Sequence, residues 1–202
     1  IGYPLMIKAA KGGGGKGIRI VEDAGALERE FPLVRREAEL AFGDGSVYLE
    51  AYLPQARHIE VQILADMHGN VLHLGTRECT LQRKNQKLIE EAPAANIDAN
   101  TRAAIEQTAV EIARAVGYQN AGTVEFLLTR DGHFFFMEMN ARIQVEHPIT
   151  ESIFGLDLIK AQIQVAMGHH LRVSQESLVP RGHAIECRIN AECPAENFRP
   201  SP

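Results

Sequence analysis

AGTVEFLLTRDGHFFFMEMN, residues 121–140, decides how this chain folds. Two runs rich in β-branched and aromatic residues flank Asp131-Gly132, a pair suited to the positive-φ backbone of a tight turn. The spacing predicts a hairpin of Ala121–Arg130 with His133–Asn140 and a two-residue loop, so that Arg130 pairs with His133. Counting outward, Glu125 falls opposite Glu138, and alternation sets Asn140 on the same face. Like charges in direct opposition weaken a sheet. A divalent cation between them turns that repulsion into a binding site. Oxygen ligands on rigid strands suit Mg2+ (or Mn2+) bridging nucleotide phosphates. The neighbours Phe134, Phe135, Phe136, Met137 and Met139 further predict that Glu138 lies on a largely buried strand.

Next comes RIQVEHP, residues 142–148. Read as extended, it puts Arg142, Gln144 and Glu146 on one face and Ile143 and Val145 on the other. Arginine holds a planar anion through two parallel hydrogen bonds, and Glu146 is placed to take a proton from it. Bicarbonate fits, being planar, anionic and obliged to lose a proton before it attacks a phosphoryl group.

At the other end, residues 11–17 read KGGGGKG. Glycines let the backbone approach a phosphate and aim several N–H groups at it. No Ser or Thr follows Lys16, so this is no Walker loop. The following Ile18–Val21 alternates like a strand, which excludes a Rossmann turn. Strand, glycine loop, strand reads as a flexible flap over a nucleotide. Lys8, among apolar neighbours on the preceding strand, is costly to bury unless it meets an anion, and is assigned to ATP phosphates.

The remaining pattern predicts strands at Pro4–Ala10, Ser46–Leu53, Arg57–Ala65, Val71–Arg77 and His183–Ala191. A helix starts at Asp23 and is interrupted at Pro32. A second follows Asp98 with Ile105, Ala109, Ile112 and Val116 on one face, and a third spans about Leu156–Met167. Gln82–Lys87 reads as a polar loop. Residues 1–53 form a small α+β unit and residues 54–202 a larger one.

A net charge of -5 over 202 residues gives no basic field for nucleic acid or an anionic membrane. No apolar run approaches the roughly 20 residues of a membrane span. Three cysteines without a CxxC pair argue against a disulfide framework and for a reducing compartment. No signal segment is apparent, and both ends break off in what reads as folded sequence. The chain is therefore expected to be a fragment, cytoplasmic or, in a eukaryote, from the mitochondrial matrix.

The stretches IGYPLMIKA, GGGGKG, RHIEVQ, QRKNQK, EEAP, AGTVEF, FMEMNARIQVEHP and GHAIECRINAE extend over nearly the whole chain. Together they resemble the biotin carboxylase branch of the ATP-grasp enzymes. The resemblance implies an α+β ATP-grasp fold, with a partial glycine-loop lid over 1–53. The antiparallel-sheet core and the start of the family's C-terminal region would occupy 54–202.

It also implies roles. Lys8, Gly12, Gly13, Gly14, Gly15, Lys16 and Gly17 would hold ATP phosphates. Glu50, Tyr52, Leu53 and Leu127 would border the adenine, and His58 and Gln82 the ribose and nearby phosphates. Asn85 stands in the nucleotide site where many members have His. Glu125, Glu138 and Asn140 would organise magnesium. Lys87, Arg142, Gln144, Val145 and Glu146 would hold bicarbonate or the reacting groups, with Glu146 as base. Arg188 would stabilise charge on the ureido oxygen of biotin. Bicarbonate would attack the γ-phosphate to give carboxyphosphate, whose carbon dioxide biotin captures.

The implied partners are a biotin carboxyl carrier domain, a carboxyltransferase and further copies of the full-length chain, as in an acyl-CoA carboxylase. Ala51 for a common Lys and Cys193 for a usual Asp are the other departures. A carbamoyl-phosphate-type ligase would share Glu125, Glu138 and Asn140 without needing Arg188. A non-catalytic nucleotide-binding module would not need Arg142–Glu146.

Overall fold

The computed structural model describes residues 1–12, 17–83 and 85–201. They fall into two compact units, Ile1–Gln55 with Arg83–Gln86, and Ala56–Gln82 with Lys87–Pro202.

In the first unit β1 (Leu5–Ala9) lies between β2 (Ile18–Val21) and β3 (Val47–Ala51), antiparallel to both. Leu5, Ile7 and Ala9 alternate inward, as a half-buried strand requires. The helix α1 (Ala24–Phe42) covers that face with Leu27, Phe31 and Val34. Asp23 caps it by accepting from the Ala26 N–H at 2.7 Å, and Gly43 ends it at φ +70. Pro32 does not interrupt this helix, contrary to expectation. A proline inside a helix costs on the order of 3 kcal/mol. Seating residues such as Val34 on the sheet returns about 1.5–3 kcal/mol each.

The second unit is built on a six-stranded sheet ordered β8-β7-β4-β5-β6-β9. Its strands are β4 (Arg57–Ala65), β5 (Val71–Arg83), β6 (Gln86–Ala92), β7 (Asn120–Leu128), β8 (Phe134–Asn140) and β9 (Ala184–Cys187). On one face Ile59, Val61, Ile63, Val124, Phe126 and Leu128 pack against Ile105, Ala109 and Ala113 of α2 (Ala99–Ala115). The other face is divided. Leu64 and Ala121 lie beneath Leu158 and Ala161 of α4 (Leu158–Ala166), while the remainder presents His58, Glu60, Gln62, Arg77, Thr123 and Glu125, all buried.

Several boundaries differ from the sequence reading. β5 runs on to Arg83, and β6 begins within the expected polar loop. Val116 is exposed rather than core. Residues 142–146 are not extended. The chain turns, with His147 N–H on the Gln144 carbonyl at 3.4 Å, and enters an unexpected helix α3 (His147–Phe154). Pro148 stands in its first turn, where no N–H is needed. The last strand is shorter than expected, and a small pair of β10 (Glu192–Cys193) and β11 (Arg199–Pro200) follows it.

The β7–β8 hairpin departs twice. Thr129 and His133 close a three-residue loop, Arg130-Asp131-Gly132, with Gly132 at φ +84. Phe126 then pairs with Phe136, but Glu125 pairs with Glu138, so Met137 is an extra, bulged residue. The longer loop and the bulge cancel, and the expected Glu125–Glu138 opposition stands. The bulge also changes faces. Phe134 and Phe136 turn to the α2 side, edge-on to Phe126 at 5.7 and 6.4 Å, whereas Glu138 and Asn140 turn to the polar side. Because β8 is an edge strand, it is not the buried strand expected: Phe135 and Phe136 are 49% and 54% exposed, and Glu138 is exposed.

Candidate active site

The polar face of the second unit converges on Lys87, at the start of β6. Its Nζ lies 2.5 Å from Glu60 of β4, 2.9 Å from Glu125 of β7 and 2.7 Å from Glu146, which begins α3. Glu125 is the crossing point. The Asn140 amide donates to its Oε1 at 2.9 Å, the Gln144 amide donates to the same oxygen at 2.9 Å, and His58 Nε2 is 2.9 Å from Oε2. Gln82 Nε2 lies 2.7 Å from His58 Nδ1. Arg188, just beyond β9, donates through Nε to Glu90 and through NH2 to Glu146, at 2.7 and 2.9 Å.

The electrostatics explain why buried charge is stable here. Burial works against ionisation of Glu60, but Arg77 and Lys87 outweigh it and hold the carboxyl at about 2. Burial likewise opposes charge on Glu125, and hydrogen bonding to His58 with the charge of Lys87 holds it at about 2. Lys87 loses solvation on burial, yet Glu60 and Glu125 raise it above the ordinary lysine range. Glu90 is pushed up by burial, against the pull of Arg188. Lys87, Arg77 and Arg188 pair with four carboxylates, Glu60, Glu90, Glu125 and Glu146, and a fifth, Glu138, stands opposite Glu125 outside these pairs. An added cation is therefore favoured. Glu125 and Glu138, opposed across the hairpin and joined by Asn140 at 2.9 and 3.4 Å, offer it oxygen ligands.

Not every expected residue is gathered here. Gln144 and Glu146 are buried, but Arg142 is exposed and its NH1 bonds the Ile143 carbonyl, and Val145 is 60% exposed. The shared face expected of Arg142, Gln144 and Glu146 is thus not formed, because the segment turns into α3. Leu127 pairs with His58 across β4–β7. Asn85 adopts φ +61 in the turn between β5 and β6, in the first unit.

Also in the first unit, Lys8 meets an anion of the protein: its Nζ is 3.2–3.3 Å from the Glu50 carboxylate and 5.7 Å above the Tyr48 ring. Burial lowers its pKa, but Glu50 more than compensates. Tyr52 N–H bonds the Pro4 carbonyl at 3.2 Å, and Leu53 is half-buried beside it. Gly12 N–H bonds Ala9 at 3.1 Å, and Gly17 accepts from Ala9 at 3.0 Å with φ +69. A Cβ at Gly17 would lie 2.8 Å from that of Ala9. Gly13, Gly14, Gly15 and Lys16, and with them most of the expected flexible flap, lie outside the described residues.

The sequence reading assigned no role to Glu60, Arg77 or Glu90. Each is fully buried and bonded to a group in the cluster. Local sequence gives little signal for them: in RHIEVQILA polar and apolar residues simply alternate.

Comparisons with known proteins agree with this arrangement. Residues 1–174 match the family described as carbamoyl-phosphate synthase L chain, ATP binding domain. A biotin carboxylase from Nostoc sp. is 54% identical over 202 residues, all of this chain and 45% of that protein. The chain thus spans about half the length of the curated relatives it matches. Among solved structures, a biotin carboxylase–beta-gamma-ATP complex from Campylobacter jejuni superposes with a TM-score of 0.96 at 50% identity, covering 100% of this chain and 45% of that one. The biotin carboxylase domain dimer of Hydrogenobacter thermophilus 2-oxoglutarate carboxylase, with MgADP, ADP and bicarbonate, gives 0.96 at 48%, covering 99% and 44%. The α+β ATP-grasp fold expected from the resemblance is the fold of these structures. Among the described residues no helix is long and apolar enough to cross a membrane. The chain belongs to the carbamoyl-phosphate synthase L chain, ATP-binding domain family, and its likeness within that family is to biotin carboxylases.

Proposed function

We propose that the full-length protein carrying this chain uses MgATP and bicarbonate to carboxylate biotin on a carrier domain. The observation that carries the reading is the set Lys87, Glu146 and Arg188. One oxygen of Glu146 accepts from Lys87 and the other from Arg188. A base, an anion-binding lysine and an arginine are thereby locked together beside the opposed Glu125–Glu138 pair.

Residues 1–53 act as the glycine-loop lid and residues 54–202 as the core. In the first unit Lys8 and the glycine loop bind phosphates, and Glu50, Tyr52 and Leu53 the adenine side. In the second, His58, Gln82 and Leu127 are assigned to the nucleotide. Glu125, Glu138 and Asn140 hold Mg2+, which supplies charge neutralisation on the phosphates. Lys87, Gln144 and the Val145 backbone seat bicarbonate, and Glu146 takes its proton once substrate replaces one of its two cation contacts. Arg142, exposed and bonded locally, swings in as the anion's second clamp. Arg188 then faces the ureido oxygen of biotin. The final acceptor, an acyl-CoA or a 2-oxo acid, is selected by a separate carboxyltransferase.

The test is an assay of the full-length protein with free biotin. Phosphate release should require Mg2+ and bicarbonate and should rise with biotin. Bicarbonate-dependent release that ignores biotin but responds to ammonia would replace this reading with a carbamoyl-phosphate-type ligase. Release indifferent to bicarbonate would end it.

A further inference from the structure

Arg77 of β5 has no place in the reaction outlined above and is wholly shielded from solvent. Its guanidinium has five N–H bonds, and each has an acceptor. Nε donates to Glu60 Oε1 at 2.6 Å. NH1 donates to Gln62 Oε1 at 2.7 Å and to Thr150 Oγ1 at 2.8 Å. NH2 donates to Thr123 Oγ1 and Gln144 Oε1, both at 3.2 Å. These acceptors come from β4, β7, α3 and the turn before α3, so one side chain sets the relation among four segments.

Two of the five acceptors lead onward. The second oxygen of Glu60 holds the Lys87 ammonium at 2.5 Å. An amide has only one oxygen, so Gln144, having turned it to Arg77, must turn its NH2 to Glu125, where the distance is 2.9 Å. We propose that Arg77 is the positioning residue of the bicarbonate site, setting Lys87 through Glu60 and the amide orientation of Gln144 directly. It touches no reactant. The inference rests on the biotin carboxylase reading, and it accounts for the need for arginine. A lysine would keep the charge, but its single nitrogen cannot span acceptors on opposite sides of a planar fork.

The experiment uses the full-length enzyme with Arg77→Lys and, as an isosteric change that keeps core volume, Glu60→Gln. Nucleotide affinity, melting temperature and the bicarbonate and ATP dependences of phosphate release are measured on both. The expected result is a rise of about tenfold or more in the KM for bicarbonate with a comparable fall in kcat, the scale of a sub-ångström misplacement. The KM for ATP should stay within about twofold. A folded Arg77→Lys enzyme with an unchanged bicarbonate KM would overturn the proposal. So would loss of ATP affinity and bicarbonate response together, in step with the melting temperature, because that is the signature of a purely structural arginine. If Arg77→Lys does not fold, Glu60→Gln decides: a bicarbonate KM within about twofold of the parent sinks the relay. A parent enzyme without bicarbonate-dependent phosphate release fails at the reaction reading, whereas a normal parent with unaffected variants fails only here.

Discussion

Lys8 and Lys87, one in each compact unit, both lie against glutamate, and the contrast between them separates two uses of a buried cation. Lys8 has one carboxylate partner, Glu50, whose side chain is 33% exposed. Lys87 has three, Glu60, Glu125 and Glu146, none more than 4% exposed. A single, half-solvated partner is weakly held, which on the proposed function lets a phosphate displace it. Three buried partners, themselves tied to Arg77, Gln144 and Arg188, fix the ammonium before any substrate arrives. Charge held ready in this way stabilises a reacting anion without reorganisation. On the proposed function, the first lysine is a docking charge and the second a preorganised one.

The sharpest way to break this contrast is Glu146→Gln in the full-length enzyme. Bicarbonate-dependent phosphate release should fall by on the order of a hundredfold or more, the usual scale for a positioned base, while ATP affinity holds. Normal release would remove Glu146 from the chemistry. Parallel losses of ATP affinity and melting temperature would make it structural.

Glu138→Gln comes next. It should reduce turnover by at least about tenfold and raise the magnesium requirement, with the fold intact because relief of repulsion from Glu125 offsets the lost ligand. Magnesium titrations on parent and variant read this directly, and superimposable curves would count against the metal pair.

Lys8→Met should act on binding alone. ATP affinity should weaken by roughly tenfold, turnover at saturating ATP should change little, and stability should move by less than about 1 kcal/mol. A loss above about 2 kcal/mol in denaturant unfolding would show that Lys8 is as structural as Lys87 and erase the distinction.

The smallest expected effect is on the acid side. Glu60 and Glu125 are held at about 2 against an ordinary 4.5. Their contribution to stability is therefore full above about pH 4.5 and is lost as pH falls towards 2. Melting temperatures taken between pH 6 and pH 3 should decline less steeply in Glu60→Gln than in the parent, by about a few degrees. Parallel declines would mean that the carboxylates are not ionised in the native cluster.

How much of this was legible in the sequence depended on whether local pattern or assembly set the result. The hairpin was legible because its turn signal is local, but the opposition of Glu125 and Glu138 came out as expected only because the three-residue loop and the bulge at Met137 offset each other. The turn at Gln144–His147 was not legible, since RIQVEH alternates as well as any strand and only the packing of α3 bends it inward. Glu60 and Arg77 were missed for a related reason. In RHIEVQILA the polar residues His58, Glu60 and Gln62 alternate with Ile59, Val61 and Ile63, the pattern of an ordinary strand with one wet face. That face is dry only because α3, α4 and the later chain close over it, and no window of sequence contains all of them.

Met137 contributes no ligand, charge or hydrogen bond to the chemistry described, yet the site depends on its being counted. Along FFFMEMN, strict alternation would send Phe134, Phe136, Glu138 and Asn140 to one side of the sheet. The extra residue lets the first two reach the α2 side while the last two reach the opposite one. The constraint here is on length rather than identity. Exchange of Met137 for another side chain should be tolerated. Its deletion would force a choice between aromatic packing and ligand geometry, and no compensating change of side chain elsewhere on the strand could restore both.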